Sequence, residues 1–468
     1  MRRRETGHRR SRTLDAVQSE PTTLPAEPTP ASPTPSSARV LAADLPEHAG
    51  EEVLLRGWLH RQRRLKSVSF LAVRDASGLA QVVISDSEQA AELAAVVEES
   101  VLEIRGRAVA NAAAPGGVEV VNPAVTVLSA AAEPPPFDLY RPQLSATLPT
   151  QLDHAAVALR HPERQRVLRI AAAAVAGFRE TLDARRFVEI QTPKIVESAT
   201  ETGANVFALD YFGRTAYLAQ SPQFYKQMMV GVFERVYEVG PVFRAEPHDT
   251  ARHLAEYVSL DAELGFIGDH RDVMRVLRDV VAGMLDAVVE RVRQLETVVT
   301  ELPVVPAEIP ALHFADAQAM ITAATGEILT GEPDLAPAHE RWLGEWARRV
   351  HGSDFVFVTG YPMVKRPFYT HPEPARPEYS NSFDLLFRGL ELVTGGQRLH
   401  RHDDYLAALA ERGQSPEPLS GYLAAFKHGM PPHGGFAIGL ERFAARLTGA
   451  ANVREVTLFP RDLHRLSP

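Results

Sequence analysis

Residues 434–443 read Gly434-Gly435-Phe436-Ala437-Ile438-Gly439-Leu440-Glu441-Arg442-Phe443. The stretch predicts a strand over Gly435–Gly439 and a helix from Leu440. Glycine has no Cβ, so the backbone here can lie close against a ligand. Arg442 falls in the first turn of the helix, where the helix dipole disfavours a cation. A bound polyanion in front of that turn accounts for the placement. A solvated Arg after a glycine turn is the alternative, and it leaves the placement unexplained.

Working upstream, the apolar run Val236–Val242 predicts a strand leading into Phe243-Arg244-Ala245-Glu246. Positions i and i+2 of a strand share a face, so Arg244 and Glu246 are expected to project together. An Arg fork suits a phosphate or carboxylate, and the Glu can accept from an exocyclic amine; a surface ion pair is the alternative. After the polar loop Pro247–Ala251 come Arg252-His253-Leu254 and Glu256-Tyr257. A second Arg with a His can grip terminal phosphates, and a Tyr can stack on a base. A loop Arg beside a core aromatic would look the same. Helical periodicity over His161–Leu182 opens a region of mixed strands and helices, residues 161–468, that predicts an α+β domain with a mainly antiparallel sheet flanked by helices.

Residues 39–130 carry a different signal. Val53–Leu59, Phe70–Arg74, Leu79–Ile84, Val101–Val109 and Gly117–Val121 read as strands, with Asp75-Ala76-Ser77-Gly78 as a hairpin turn and a short helix around Ala90–Val97. Five strands with one helix between the third and fourth suggest an OB-type barrel; another small β-barrel or sandwich fits the strand number equally. Pro134-Pro135-Pro136 marks a linker over 131–160. Residues 1–38 begin with Arg2, Arg3, Arg4, Arg9, Arg10 and Arg12 and continue in Pro, Ser and Thr. So little apolar surface predicts disorder. An RNA-attracting arm, a transit peptide, a solvated extension and a start codon set too early remain open.

The 468 residues are 45% hydrophobic and 23% charged, enough for a sizeable core. No apolar run is long enough for a membrane helix. Cysteine is absent, which excludes disulfides, thiolate metal sites and Cys nucleophiles and is compatible with a cytoplasmic location. The net charge of −9 does not exclude a nucleic-acid partner, because phosphate binding depends on local clusters.

The three groups around Arg244, Arg252 and Arg442 resemble, in order and spacing, motifs 2 and 3 of class II aminoacyl-tRNA synthetases. Phe187-Val188-Glu189-Ile190-Gln191-Thr192-Pro193 resembles motif 1, whose proline lies at the dimer interface in that class, so a homodimer is implied. Ser221-Pro222-Gln223-Phe224-Tyr225-Lys226-Gln227 and Glu391-Leu392-Val393-Thr394-Gly395-Gly396-Gln397-Arg398 resemble signatures of the aspartyl subgroup, in its compact archaeal and eukaryotic-like form. Thr394 departs from the usual serine but keeps a hydroxyl. The resemblance implies ATP-dependent formation of aspartyl-adenylate, then transfer of L-aspartate to tRNA. Arg244 and Arg442 would be catalytic. Glu201, Gln223, Lys226, Arg244, Thr394 and Arg398 would bind aspartate, with Glu201 on the ammonium and Lys226 and Arg398 supplying charge for the side-chain carboxylate. ATP would meet Arg244, Glu246, Arg252, His253, Leu254, Tyr257, Glu391, Gly439, Leu440, Glu441 and Arg442, and Glu391 with Thr394 would hold Mg²⁺.

In the barrel, the resemblance implies anticodon recognition by His60, Phe70, Gln81 and Pro115, with Arg61, Arg63, Arg64 and Lys66 meeting phosphates; Phe70 as a core residue is the alternative. His60 and Pro115 match relaxed members, implying that both tRNA-Asp and tRNA-Asn are charged and that an amidotransferase acts downstream. The rivals are a discriminating aspartyl enzyme, an asparaginyl-tRNA synthetase, a tRNA-free asparagine synthetase and a non-catalytic RNA-binding paralogue. Lys226 disfavours the asparaginyl reading. Retention of Arg244, Arg252 and Arg442 disfavours the paralogue.

Overall fold

The computed structural model describes residues 38–197, 205–247, 249–292 and 299–467. The extension read over 1–38, except its last residue, and Glu201 lie outside them. The described chain forms two compact units, the first ending at Ala130 and the second holding residues 97–99 and everything from Ala131.

The first unit is a closed five-stranded barrel of β1 (Glu52–Arg64), β2 (Ser69–Arg74), β3 (Leu79–Ile84), β4 (Val101–Ala110) and β5 (Val118–Ser129), in the order β1-β2-β3-β5-β4. Alternation drives it: Leu71, Val73, Ala80, Val82, Ile84, Leu102 and Ile104 all point into one core. At the β2–β3 turn the Asp75 carboxylate accepts from the backbone N–H groups of Ser77 and Gly78, which fixes the hairpin. Two expectations need correction. The helix read around Ala90–Val97 lies at Ser87–Glu92, because Asp86 caps it by accepting from Glu88 N and Gln89 N; a single 3-10 turn, Leu93–Ala95, follows. The last strand continues past Pro123 to Ser129, since that proline falls in a bulge opposite Gly106, where no ladder donor is required.

In the second unit an eight-stranded sheet runs β12-β13-β14-β15-β16-β11-β10-β6. Its strands are β6 (Val188–Glu189), β10 (Arg235–Phe243), β11 (Glu256–Gly265), β12 (Ala311–His313), β13 (Phe355–Thr359), β14 (Ser382–Phe387), β15 (Leu390–Gln397) and β16 (His433–Gly439). Only the pairs β12–β13 and β10–β6 are parallel. A separate three-stranded sheet joins β7 (Ile195–Val196), β9 (Arg214–Leu218) and β8 (Ala208–Tyr211). Residues 131–160, read as linker, include two short helices, Leu148–Asp153 and Ala155–Ala158. The helices Pro162–Asp183 and His270–Arg291 cross at Gly177 and Gly283; a Cβ on Gly177 would lie 2.4 Å from Gly283 O, so only glycine permits that approach. Leu260, Ala262, Leu264, Phe436 and Ile438 form one core with these helices. The intervening residues of the same strands therefore face the other way, and they make the site.

Candidate active site

The face of β11 that carries Ser259 and Asp261, with the glycine-rich β16, floors a cleft of about 540 Å³. Arg244 after β10, Arg252 in the next loop, Arg398 after β15 and Arg442 all line it. So do Gln223, Lys226, Glu246, His253, Leu254, Tyr257, Glu391, Thr394, Gly439 and Glu441. Leu440 does not: at 8% exposure it packs in the core.

At one end, Lys226 stands on the helix Gln223–Phe233 and is 1% exposed. Its Nζ donates to Asp261 Oδ1 at 2.9 Å and to Phe436 O at 3.1 Å, with Glu263 Oε2 at 3.4 Å. Arg398 donates Nε to Glu263 Oε1 at 3.0 Å and Nη2 to Gly435 O at 3.1 Å. The sequence expects both cations to serve a substrate carboxylate; in the structure each also faces a carboxylate of β11. Charges this deeply buried require such partners. Burial pushes the Glu263 carboxyl up, but Arg398 and Lys226 outweigh it and hold it below its ordinary range. Burial drives the nearby His433 down to about 4, so it is neutral. Two donors are left over. Gln223 Nε2 is buried without a hydrogen bond, and Arg398 Nη1 makes none among the described residues. Beside Lys226 they form a socket for a group that only accepts.

The other end is more open. Strand β10 stops at Phe243, so Arg244 and Glu246 do not project from a regular strand as expected. Arg244 N still pairs with Ala255 O, but Ala245 N turns to Asn205 O. The side chains nonetheless meet, Nη1 to Oε1 at 3.9 Å, and the Arg244 guanidinium lies 5.8 Å from the Tyr257 ring centroid. His253 Nδ1 is 2.6 Å from Thr250 Oγ1, and Arg252 lies 3.8 Å from Glu340. Arg442 sits in the first turn of Leu440–Thr448, as expected, 3.5 Å from Glu391. Glu441 points elsewhere: its carboxylate accepts from Val258 N, and burial raises it to about 7. A ligand contact there would have to come from its backbone.

Glu391 and Thr394 are three apart, which on a regular strand means opposite faces. The β14–β15 register shows why they meet. Leu386 pairs with Glu391 and Leu385 with Val393, leaving Leu392 as a bulge that turns both onto the cleft side, with Thr394 Oγ1 3.5 Å from Glu391 Oε1.

In the barrel, Phe70 and Gln81 are half-buried and alternate with the core residues Leu71, Ala80 and Val82, so Phe70 is not a core residue. Gln81 Nε2 donates to Glu119 at 2.8 Å. His60 forms the bulge of β1, is 5% exposed and lies 3.0 Å from Arg74 Nη1; Pro115 is exposed.

A family model described as "tRNA synthetases class II (D, K and N)" matches residues 147–463, and one for an OB-fold nucleic acid binding domain matches 53–128. The chain belongs to the class II tRNA synthetases. It is similar to the Aspartate--tRNA(Asp/Asn) ligase of Thermus thermophilus, 48% identical over 92% of this chain and 100% of the relative. That of Deinococcus radiodurans is 45% identical over 92% and 99%. Among solved structures, the asparaginyl-tRNA synthetase of Pyrococcus horikoshii with asparaginyl-adenylate superimposes with a TM-score of 0.86 at 30% identity, covering 92% of this chain and 99% of that one. A putative aspartyl-tRNA synthetase from Leishmania major gives 0.85 at 27% identity, covering 95% and 98%. The barrel in this synthetase is thus an OB-fold, and the small-barrel alternatives fall away.

Sequence reading of the synthetase missed Asp261, Glu263, Glu340, Asp384 and Arg366. Ser259-Leu260-Asp261-Ala262-Glu263-Leu264 carried a usable signal, because three polar residues share one face of a strand flanked on both sides. Asp384 and Arg366 pair at 3.0 Å, and burial raises Asp384 to about 6 against the pull of Arg366. No cluster of three or more His, Cys, Asp or Glu suited to a metal occurs among the described residues. One carboxylate and one hydroxyl, both oxygen donors, nonetheless suit a Mg²⁺ ion that keeps several waters and leans on phosphates. No helix among the described residues is long and apolar enough to cross a membrane.

Proposed function

We propose that this synthetase activates L-aspartate with ATP and transfers it to tRNA, charging both tRNA-Asp and tRNA-Asn. The observation that carries the amino-acid assignment is the socket of unfilled donors, Gln223 Nε2 and Arg398 Nη1, beside buried Lys226. Structural likeness alone does not choose, since the neighbours bear both asparaginyl and aspartyl names. A carboxylate presents acceptors only, whereas an amide brings two N–H donors to a place where donors are already in excess. The named relatives support the same choice.

In the first step an oxygen of the aspartate α-carboxylate attacks the α-phosphorus of ATP. The bond to the bridging oxygen breaks and pyrophosphate leaves with the electron pair. Arg244 neutralises the α-phosphate, while Arg252, His253 and Arg442 hold the outer phosphates. Glu246 and Tyr257 address the adenine. Mg²⁺, held by Glu391 and Thr394, would add positive charge along the phosphates. This is catalysis by positioning and charge. In the second step a terminal ribose hydroxyl attacks the activated carbonyl and AMP leaves. Phe70 and Gln81 face the anticodon from the barrel, and β6, which ends the eight-stranded sheet and carries Val188 at 39% exposure, offers an edge for a second copy. Aspartyl-tRNA-Asn requires a downstream amidotransferase.

Aspartate-dependent ATP–pyrophosphate exchange, with asparagine as the control, tests the activation step. Charging of purified tRNA-Asp and tRNA-Asn then tests the relaxed specificity. Both tRNAs should accept aspartate, and His60→Trp should reduce charging of tRNA-Asn more than of tRNA-Asp. Exchange with asparagine but not aspartate would reverse the assignment.

A further inference from the structure

Glu340 belongs to no motif, lies in the first turn of the helix Pro337–His351, and is 8% exposed. That helix is clamped onto the β14–β15 turn by two glycines: a Cβ on Gly344 would lie 2.5 Å from Gly389 N, and one on Gly389 2.7 Å from Arg341 Cα. The clamp delivers the Glu340 carboxylate into the cleft at a fixed height. One oxygen, Oε2, accepts from Glu391 N at 3.1 Å and lies 3.8 Å from Arg252 Nη1. The Glu391 carboxylate in turn lies 3.5 Å from Arg442. Glu340 thus joins three groups that reach the cleft from separate parts of the chain.

We infer that Glu340 is a positioning residue for ATP activation: its carboxylate aims Arg252 and anchors the backbone of Glu391, so that the phosphate-gripping groups stand ready before the nucleotide arrives. This rests on the cleft being an ATP site. A carboxylate is a costly choice for a wall that must accept a triphosphate, since it repels the ligand. A capping amide would satisfy the Glu391 N–H equally well, so the negative charge has to serve something else. Among the described residues, the cation in ion-pair range of Glu340 is Arg252.

The Glu340→Gln enzyme keeps an acceptor for Glu391 N and loses only the charge, which separates aiming from capping. With the full-length protein, E340Q should bind Mg-free ATP at least as tightly as the parent. Its kcat in aspartate-dependent exchange should fall by about 10- to 100-fold, the range for removal of an orienting partner, with the KM for aspartate unchanged. Glu340→Asp should recover part of kcat. In an Arg252→Gln background, E340Q should add little to the loss, because its effect runs through that guanidinium. E340Q at parental kcat, or a full additional loss in the Arg252→Gln background, overturns the inference. If the parent itself binds no ATP, the underlying reading of the cleft fails instead, and that is visible before any variant is compared.

Discussion

Lys226 shows what a single buried charge demands. It is 1% exposed, between Asp261 and Glu263, on a helix whose other buried residues include Phe224 and Val230. Its removal leaves two carboxylates that water cannot reach. An uncompensated buried charge of this kind costs about 3–5 kcal/mol. Lys226→Met should therefore lower the thermal midpoint of the catalytic unit and abolish aspartate-dependent exchange. ATP binding, which depends on the arginines at the other end of the cleft, should persist. Calorimetric unfolding together with nucleotide titration checks this; a variant as stable as the parent would mean that Asp261 and Glu263 find protons or water in place of Nζ. Arg398 would then be left to hold Glu263 alone, and Asp261, whose second oxygen accepts from Ser259 Oγ at 2.5 Å, would stand as the exposed flaw.

The unit of design at the next scale is the strand with one residue too many. Excision of Leu392 would restore a regular ladder between β14 and β15 and leave Glu391 and Thr394 two apart, on the same face of the strand. The shortened chain should fold, keep its barrel signature and retain Mg²⁺-dependent exchange above the level of Glu391→Gln, because Glu391 and Thr394 stay together on the cleft side. Exchange at the level of Glu391→Gln would show that the hairpin absorbs the deletion elsewhere. That bulge also marks where sequence reading stops. The strands were legible, since Leu79–Ile84 and Val236–Val242 alternate or run apolar as buried strands must. Convergence of Arg244, Arg252 and Arg442 was legible because each sits at an element boundary where a cation has no structural reason to be. Nothing in Glu391–Thr394 announces that one residue is extruded, because a bulge depends on the partner strand. Glu340 was invisible for the same reason: in its own helix it is one more first-turn carboxylate, favourable against the dipole and unremarked. The direction of the Glu441 side chain, whose carboxylate accepts from Val258 N, was not legible either, because a boundary position beside a glycine turn does not say which way it swings.

The whole molecule carries a net charge of −9, yet its proposed partner is a polyanion. Separation of tasks reconciles the two. The barrel and the catalytic unit each have a hydrophobic core of their own, so the chemistry of adenylate formation does not depend on barrel side chains. The end of β1 and the turn after it carry Arg61, Arg63, Arg64 and Lys66, all exposed, while the barrel's buried alternation supplies the rigid base beneath them. Taking one cation away from an RNA phosphate should reduce the slope of log KM for tRNA against log salt by about 0.7–0.9, the counterion release that accompanies each neutralised phosphate. Replacement of Arg63 and Lys66 by Ala should thus flatten that slope by roughly 1.5 for two phosphates and raise the tRNA KM most at low salt. Exchange without tRNA should run at the parental rate in the same protein, and both tRNAs should weaken alike, since phosphates carry no sequence. A slope unchanged by the double substitution would assign these residues to solvent and send the search for the RNA-binding face to another part of the surface.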